Sequence, residues 1–195
     1  MSDAGPTPSR ALRGSEVLVD PLVAELLAKR LVAILATHEP DGGIHAVAVW
    51  YAVDGDAVVL ATGSRSRKVA NLGREPRATL TLHDSRPGYE VCGACLLGRA
   101  EVVRAPAATS LVALVHDRYV APGADAIAPV DAYLQSDDVA IRFVPQRAFT
   151  WDERDSDAAR ALAESGLAIG LEPTSPRGYG PSGANHRKKA NYHSS

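Results

Sequence analysis

The residues best equipped for chemistry lie in one short stretch, Ala61-Thr62-Gly63-Ser64-Arg65-Ser66-Arg67-Lys68. An apolar run ends there, a glycine permits a tight bend, hydroxyls and three cations follow, and a helical pattern begins. Unpaired backbone N–H groups at a helix start, together with the helix dipole, favour an anion. Arg67 can grip a phosphate with two donors and Lys68 adds a point charge, while Thr62, Ser64 and Ser66 supply neutral donors. The same residues also read as a solvated basic turn with Ser66 as the helix cap, and the pattern alone leaves both readings open.

Other reactive residues are less organised. Cys92-Gly93-Ala94-Cys95 has dithiol spacing, but it falls in a predicted strand, where residues three apart point to opposite faces. A redox pair is expected at a helix N-terminus, so these cysteines read as core packing. A zinc site would need two further ligands, and only His186 and His193 offer themselves. His45 and His83 fall in predicted strands and His38 beside a turn, where half-buried packing is the ordinary role. Trp50 and Tyr51 read as packing aromatics, with Trp50 placed to touch a bound ring. His116-Asp117-Arg118-Tyr119 reads as surface charge pairing with Tyr119 packed.

The elements that must position these residues follow from periodicity and turn chemistry. Asp20-Pro21 starts a helix, with a capping carboxylate and proline at the first position, and Leu22, Val23, Leu26 and Leu27 form its apolar stripe. Three strands are predicted over 31–37, 44–53 and 57–62, separated by Glu39-Pro40-Asp41-Gly42-Gly43 and Asp54-Gly55-Asp56, which together imply an antiparallel meander. The first two runs do not alternate cleanly, so both of their faces are expected to be buried, one against a partner. A short helix over 66–73, strands over 77–84 and 90–104, a helix after Pro106, a weak helical segment within 121–136, a strand over 139–151 and a helix over 155–166 complete the order. Mainly antiparallel strands with short helices indicate a small barrel of α+β class. Residues 1–15 read as a flexible arm, 16–154 as the barrel domain, 155–170 as a C-terminal helical segment and 171–195 as a disordered tail.

Bulk properties narrow the function. A net charge of −2 argues against general nucleic-acid binding. No apolar run approaches the roughly 18 residues that cross a bilayer, and residues 1–9 lack signal-peptide character, so a cytoplasmic protein is expected. No glycine-rich dinucleotide fingerprint, Ser-His-Asp order or metal cluster is present.

Several motifs recur in order: the run 44–50, Ala61-Thr62, Ser66-Arg67-Lys68 with Asn71-Leu72 and Glu75-Pro76, Gly98-Arg99-Ala100-Glu101, and Val144-Pro145-Gln146-Arg147 leading to Trp151. In that order and spacing the chain resembles the pyridoxamine-phosphate-oxidase-like family, split β-barrels that bind FMN or the deazaflavin coenzyme F420. The resemblance implies that Val47, Ala48, Val49 and Trp50 lie beside the cofactor ring. It implies that Ala61 and Thr62 line the ribityl or phosphate side, and that Arg67 and Lys68 hold the phosphate with Ser64 and Ser66 as further donors. It also implies a homodimer with the cofactor between protomers, for which Val47, Val49 and Leu60 offer an apolar wall. The sequence departs from the vitamin-processing members at Gly93, where those place a glutamine, and beyond Trp151, where their arginine-and-histidine motif is missing. Lys68-Val69-Ala70-Asn71-Leu72 looks more like the F420-using subgroup. The expected activity is hydride transfer from reduced F420 to a small unsaturated or conjugated substrate. FMN is the alternative cofactor, and a non-catalytic carrier or sensor is the alternative class.

Overall fold

The computed structural model describes residues 10–86 and 90–166. Its strands are β1 (Arg10–Arg13), β2 (Ala33–His38), β3 (Ile44–Val49), β4 (Ala52–Asp54), β5 (Ala57–Gly63), β6 (Arg77–Arg86), β7 (Glu90–Val103) and β8 (Asp138–Asp152). Among the described residues six α-helices accompany them, α1 (Glu16–Val19), α2 (Pro21–Ala28), α3 (Arg67–Arg74), α4 (Thr109–Tyr119), α5 (Ala128–Leu134) and α6 (Asp157–Ser165), with a short 3-10 turn at Ala124–Ala126. The strands form one antiparallel sheet in the order β3-β2-β6-β7-β8-β5-β4, with β1 added beside the second half of β8. This is a split β-barrel. Asp20 caps α2 as expected, its carboxylate accepting from the Leu22 and Val23 amides. The readings that fall on 1–9 and 167–195 lie outside the described residues.

Three expectations are corrected. The arm does not run to residue 15, because Arg10–Arg13 pairs with 147–150 of β8 and Leu12 enters the core. The run 44–53 is two strands, and β5 does not join β3. The chain breaks at Trp50-Tyr51, after which β4 pairs β5 and β5 pairs β8. Nor is β3 buried on both faces: Ile44, Ala46 and Ala48 are exposed while Val49 faces the core. Val49 and Leu60 therefore point inward, and neither belongs to a partner wall. It is β5 that is covered twice, by the barrel core through Val58 and Leu60 and by α4 through Val59.

The long strands carry the departures from regular pairing. A bulge separates Leu97 from Gly98, and a side chain at Gly98 would lie 2.1 Å from the Val144 carbonyl, so only glycine fits. At Gly93 a Cβ would lie 2.1 Å from Trp151 Cζ2; the indole fills the space a longer residue would take. Cys92 is buried inside and Cys95 is half-buried on the outer face, so the two thiols cannot meet.

One ion cluster ties α2 to the ends of β6 and β8. Arg154 Nη1 lies 2.7 Å from Glu25 Oε1 and Arg154 Nε 2.8 Å from Asp152 Oδ1, while Lys29 Nζ lies 2.7 Å from both Glu25 and Asp84. Hydrogen bonds from Arg154, then Lys29, hold the Glu25 carboxyl at about 2 instead of 4.5, and Arg154 lowers Asp152 as well. Carboxyls whose folded values are depressed stabilise fully above the unfolded value and lose that contribution as pH falls through the folded one. Thermal melts from pH about 5 to about 2 should therefore show a steeper loss of stability in the parent than in Glu25→Gln. Parallel curves would exclude the cluster as an acid-sensitive clamp.

Candidate functional site

A cavity of about 440 Å³ opens where β3, β5 and α3 meet the ends of α4, α5 and β8. Its wall contains Val32, Ala48, Val49, Trp50, Ala61, Thr62, Gly63, Lys68, His116, Tyr133 and Asp138. The volume falls within the range of small-molecule sites.

The break at residues 50–51 makes the apolar wall. Trp50 stays at the cavity and stacks on Tyr119, centroids 5.0 Å apart and planes 4° from parallel, with Tyr133 edge-on at 6.2 Å. Tyr51 turns inward, its hydroxyl 3.0 Å from the Leu26 carbonyl and 2.8 Å from that of Lys29. Arg118 donates to the carbonyls of Leu27 and Lys29 at 2.6 and 2.5 Å, and its guanidinium sits 5.1 Å over the Tyr51 ring. Together these groups satisfy the open C-terminal end of α2 and fix α4 against it. Burial pushes the Tyr51 phenol up to about 12. The reading of 116–119 as surface charge is thus corrected: His116 is buried, and Arg118 is a half-buried clamp between helices.

The cationic turn divides its members. Lys68 reaches into the cavity, Nζ donating to Thr62 Oγ1 at 2.8 Å. Burial lowers its pKa, with the Asp138 carboxylate opposing. A half-buried ammonium with one neutral partner is well placed to receive an anion. Ser66 begins α3 in extended conformation without capping it, its hydroxyl 3.5 Å from that of Thr62. Ser64 is drawn to the approach to β8, its amide donating to the Asp137 carbonyl at 2.8 Å and its hydroxyl to the Asp137 carboxylate. The Arg67 side chain is 68% exposed and lies 3.4 Å from Glu39, outside the cavity wall. Val47 packs against the barrel core. Of the sequence-derived candidates, the fold therefore gathers Ala48, Val49, Trp50, Ala61, Thr62 and Lys68 around one space, and leaves Val47, Ser64, Ser66 and Arg67 off its wall.

Sequence reasoning missed His116, Tyr133 and Asp138. His116 Nε2 lies 3.5 Å from Asp138 Oδ2, each side chain 8% exposed, and the imidazole is 5.6 Å from the Tyr133 ring. A signal existed for His116, which stands four residues after Val112 and three before Tyr119 on the packed stripe of α4. No local signal marks Asp138. Among the described residues no group of three or more His, Cys, Asp or Glu is placed to hold a metal ion, and no helix is long and apolar enough to cross a membrane.

A split barrel whose cationic strand-to-helix turn borders a cavity of mixed polar and apolar lining defines the fold class. Within it, residues 19–152 match the family model described as pyridoxamine 5'-phosphate oxidase, and the chain belongs to that family. Among solved structures it is similar to the conserved hypothetical protein Rv2991 from Mycobacterium tuberculosis, with 30% identity, a TM-score of 0.60, and coverage of 73% of this chain and 91% of that one. It is also similar to HutZ, the heme storage protein from Vibrio cholerae, at 14% identity and TM-score 0.54, covering 69% and 97% of the two chains. A structure named F420 reductase matches at 25% identity and TM-score 0.48, covering 64% and 93%. No curated protein sequence matches the chain.

Proposed function

We propose that this protein is an oxidoreductase that binds reduced coenzyme F420 and transfers a hydride to a small conjugated molecule, working as a homodimer. The observation that carries this reading is the cavity, whose wall brings a half-buried Lys68 together with the apolar Val49 and the indole of Trp50. That polarity suits a ligand with a phosphate and a flat ring. Lys68 and Thr62 hold the phosphate, and Ala48, Val49, Trp50 and Ala61 line the ring. When bound, the cofactor supplies the hydride; the protein supplies orientation, exclusion of water and tuning of the ring.

The outer sheet face supports the dimer. Ala48, Ile34, Thr81, Cys95 and Phe149 form one cross-strand row, and Ala46, Ala36, Thr79 and Leu97 form the next. Side chains directly opposite in such pairs share a face, here with Ile34 and Phe149 42% and 44% exposed. A second copy presenting the same patch covers it with closed twofold symmetry. Ala48 belongs both to this face and to the cavity wall, so the partner would also close the site.

Mass and absorption of whatever copurifies, followed by titration with F420 and with FMN, test the reading. F420 binding with oxidation of its reduced form by an enone is the expected result. Tighter binding of FMN changes the cofactor, binding without turnover makes the protein a carrier, and binding of neither defeats the proposal.

A further inference from the structure

His116 sits in the last turn of α4, 6% exposed, with Nε2 buried and lacking a hydrogen-bond partner among the described residues. Leaving such a nitrogen unpaired costs free energy, so a fold that keeps it so invites a use. Asp138 begins β8 and meets the imidazole only through the tertiary fold. At 3.5 Å, Oδ2 is beyond a hydrogen bond of full strength to Nε2. The carboxylate can balance charge without consuming the N–H. Both side chains belong to the cavity wall, with Trp50 on the same cavity; Nε2 is covered as the structure stands, so an oxygen atom of a bound molecule would meet it as a donor once the imidazole turns toward the cavity.

We infer that His116 is the proton donor to the substrate in this cavity, with Asp138 as its positioning residue, and that the substrates are enones, quinones or similar molecules whose reducible bond is conjugated to oxygen. The inference rests on the redox reading above. In an enone, a C–H bond forms at the far carbon with an electron pair delivered as hydride by a dihydrodeazaflavin or dihydroflavin. The C=C π pair moves into a new double bond to the carbonyl carbon, the C=O π pair moves onto the oxygen, and the proton leaves Nε2 for that oxygen. Nε2 regains its proton from solvent water, and the enol tautomerises to the saturated ketone. Without a donor at the oxygen, the displaced charge would face the Asp138 carboxylate on the same wall.

The test uses the full chain and 4-nitrophenol, whose ionised oxygen stands in for the displaced electron pair and whose visible absorption reports ionisation. The parent should bind the phenolate form, and His116→Gln should weaken that binding at least about tenfold, the lower end for a charge-assisted hydrogen bond. Asp138→Asn should weaken it less, since the donor remains. In the parent, the ¹⁵N resonance of His116 Nε2 should move on addition of 4-nitrophenol, which gives a readout even if a variant fails to fold. Equal phenolate affinity in the parent and a folded His116→Gln variant, or an Nε2 resonance that stays in place, overturns the assignment. Cofactor titration of the parent is separate: failure there removes the redox reading, whereas a silent phenolate titration removes only the donor pair.

Discussion

Lys68→Ala is expected to weaken binding of the phosphorylated cofactor by about 1.5–3 kcal/mol, the range for a hydrogen bond to a charged group. The side chain is half-buried and points into the cavity, so water cannot easily replace what it donates. Arg67→Ala should cost less than about 1 kcal/mol, since that guanidinium is mostly exposed and already faces Glu39. The sequence ranks these two cations together; the fold separates them. Fluorescence titration of F420 and FMN at low and high salt measures both, and the parent's affinity should fall as salt rises. Parent-like affinity in Lys68→Ala would place the phosphate elsewhere, and a larger loss in Arg67→Ala would move it out toward the exposed end of the turn.

The largest effect on the molecule itself is expected at Val49. It is 7% exposed and faces the barrel core, so Val49→Asp would bury an unpaired carboxylate and should destabilise by more than about 4 kcal/mol. Such a variant reports on folding, not on assembly. Assembly is read at Ile34, which pairs directly with Ala48 on the opposite, outward face of the same two strands. Ile34→Asp should leave a folded chain that sediments as a monomer and binds cofactor more weakly, because binding and assembly are linked by mass action. An Ile34→Asp dimer of parent-like affinity would free this face from the interface. A parent monomer that binds cofactor at full affinity would remove the dimer altogether.

The local parts of the architecture were legible because their signals are local. Asp20-Pro21 announces the start of α2, Pro40 to Gly43 and Asp54-Gly55-Asp56 announce turns, and the alternation after Arg77 announces β6. The cationic turn was legible for the same reason, since strand end, glycine, cations and helix start are contiguous. The family resemblance rested on several such motifs in order, and the match over 19–152 bears it out.

Hydrophobic patterning determined that residues 44–62 form strands with buried apolar side chains. It did not determine what covers them, because period-2 alternation reports that a face is buried and not by which neighbour. Only the tertiary structure decided that α4 covers β5, that Val49 turns inward, and that Ile34 and Ala48 face outward. A strand at Arg10–Arg13 was invisible because four residues with two arginines carry no periodicity; pairing with β8 makes the strand. The same holds for His116 and Asp138. Neither residue's neighbours in sequence mark it, and α4 and β8 are brought together by packing around β5, so their approach to 3.5 Å is a property of the fold alone.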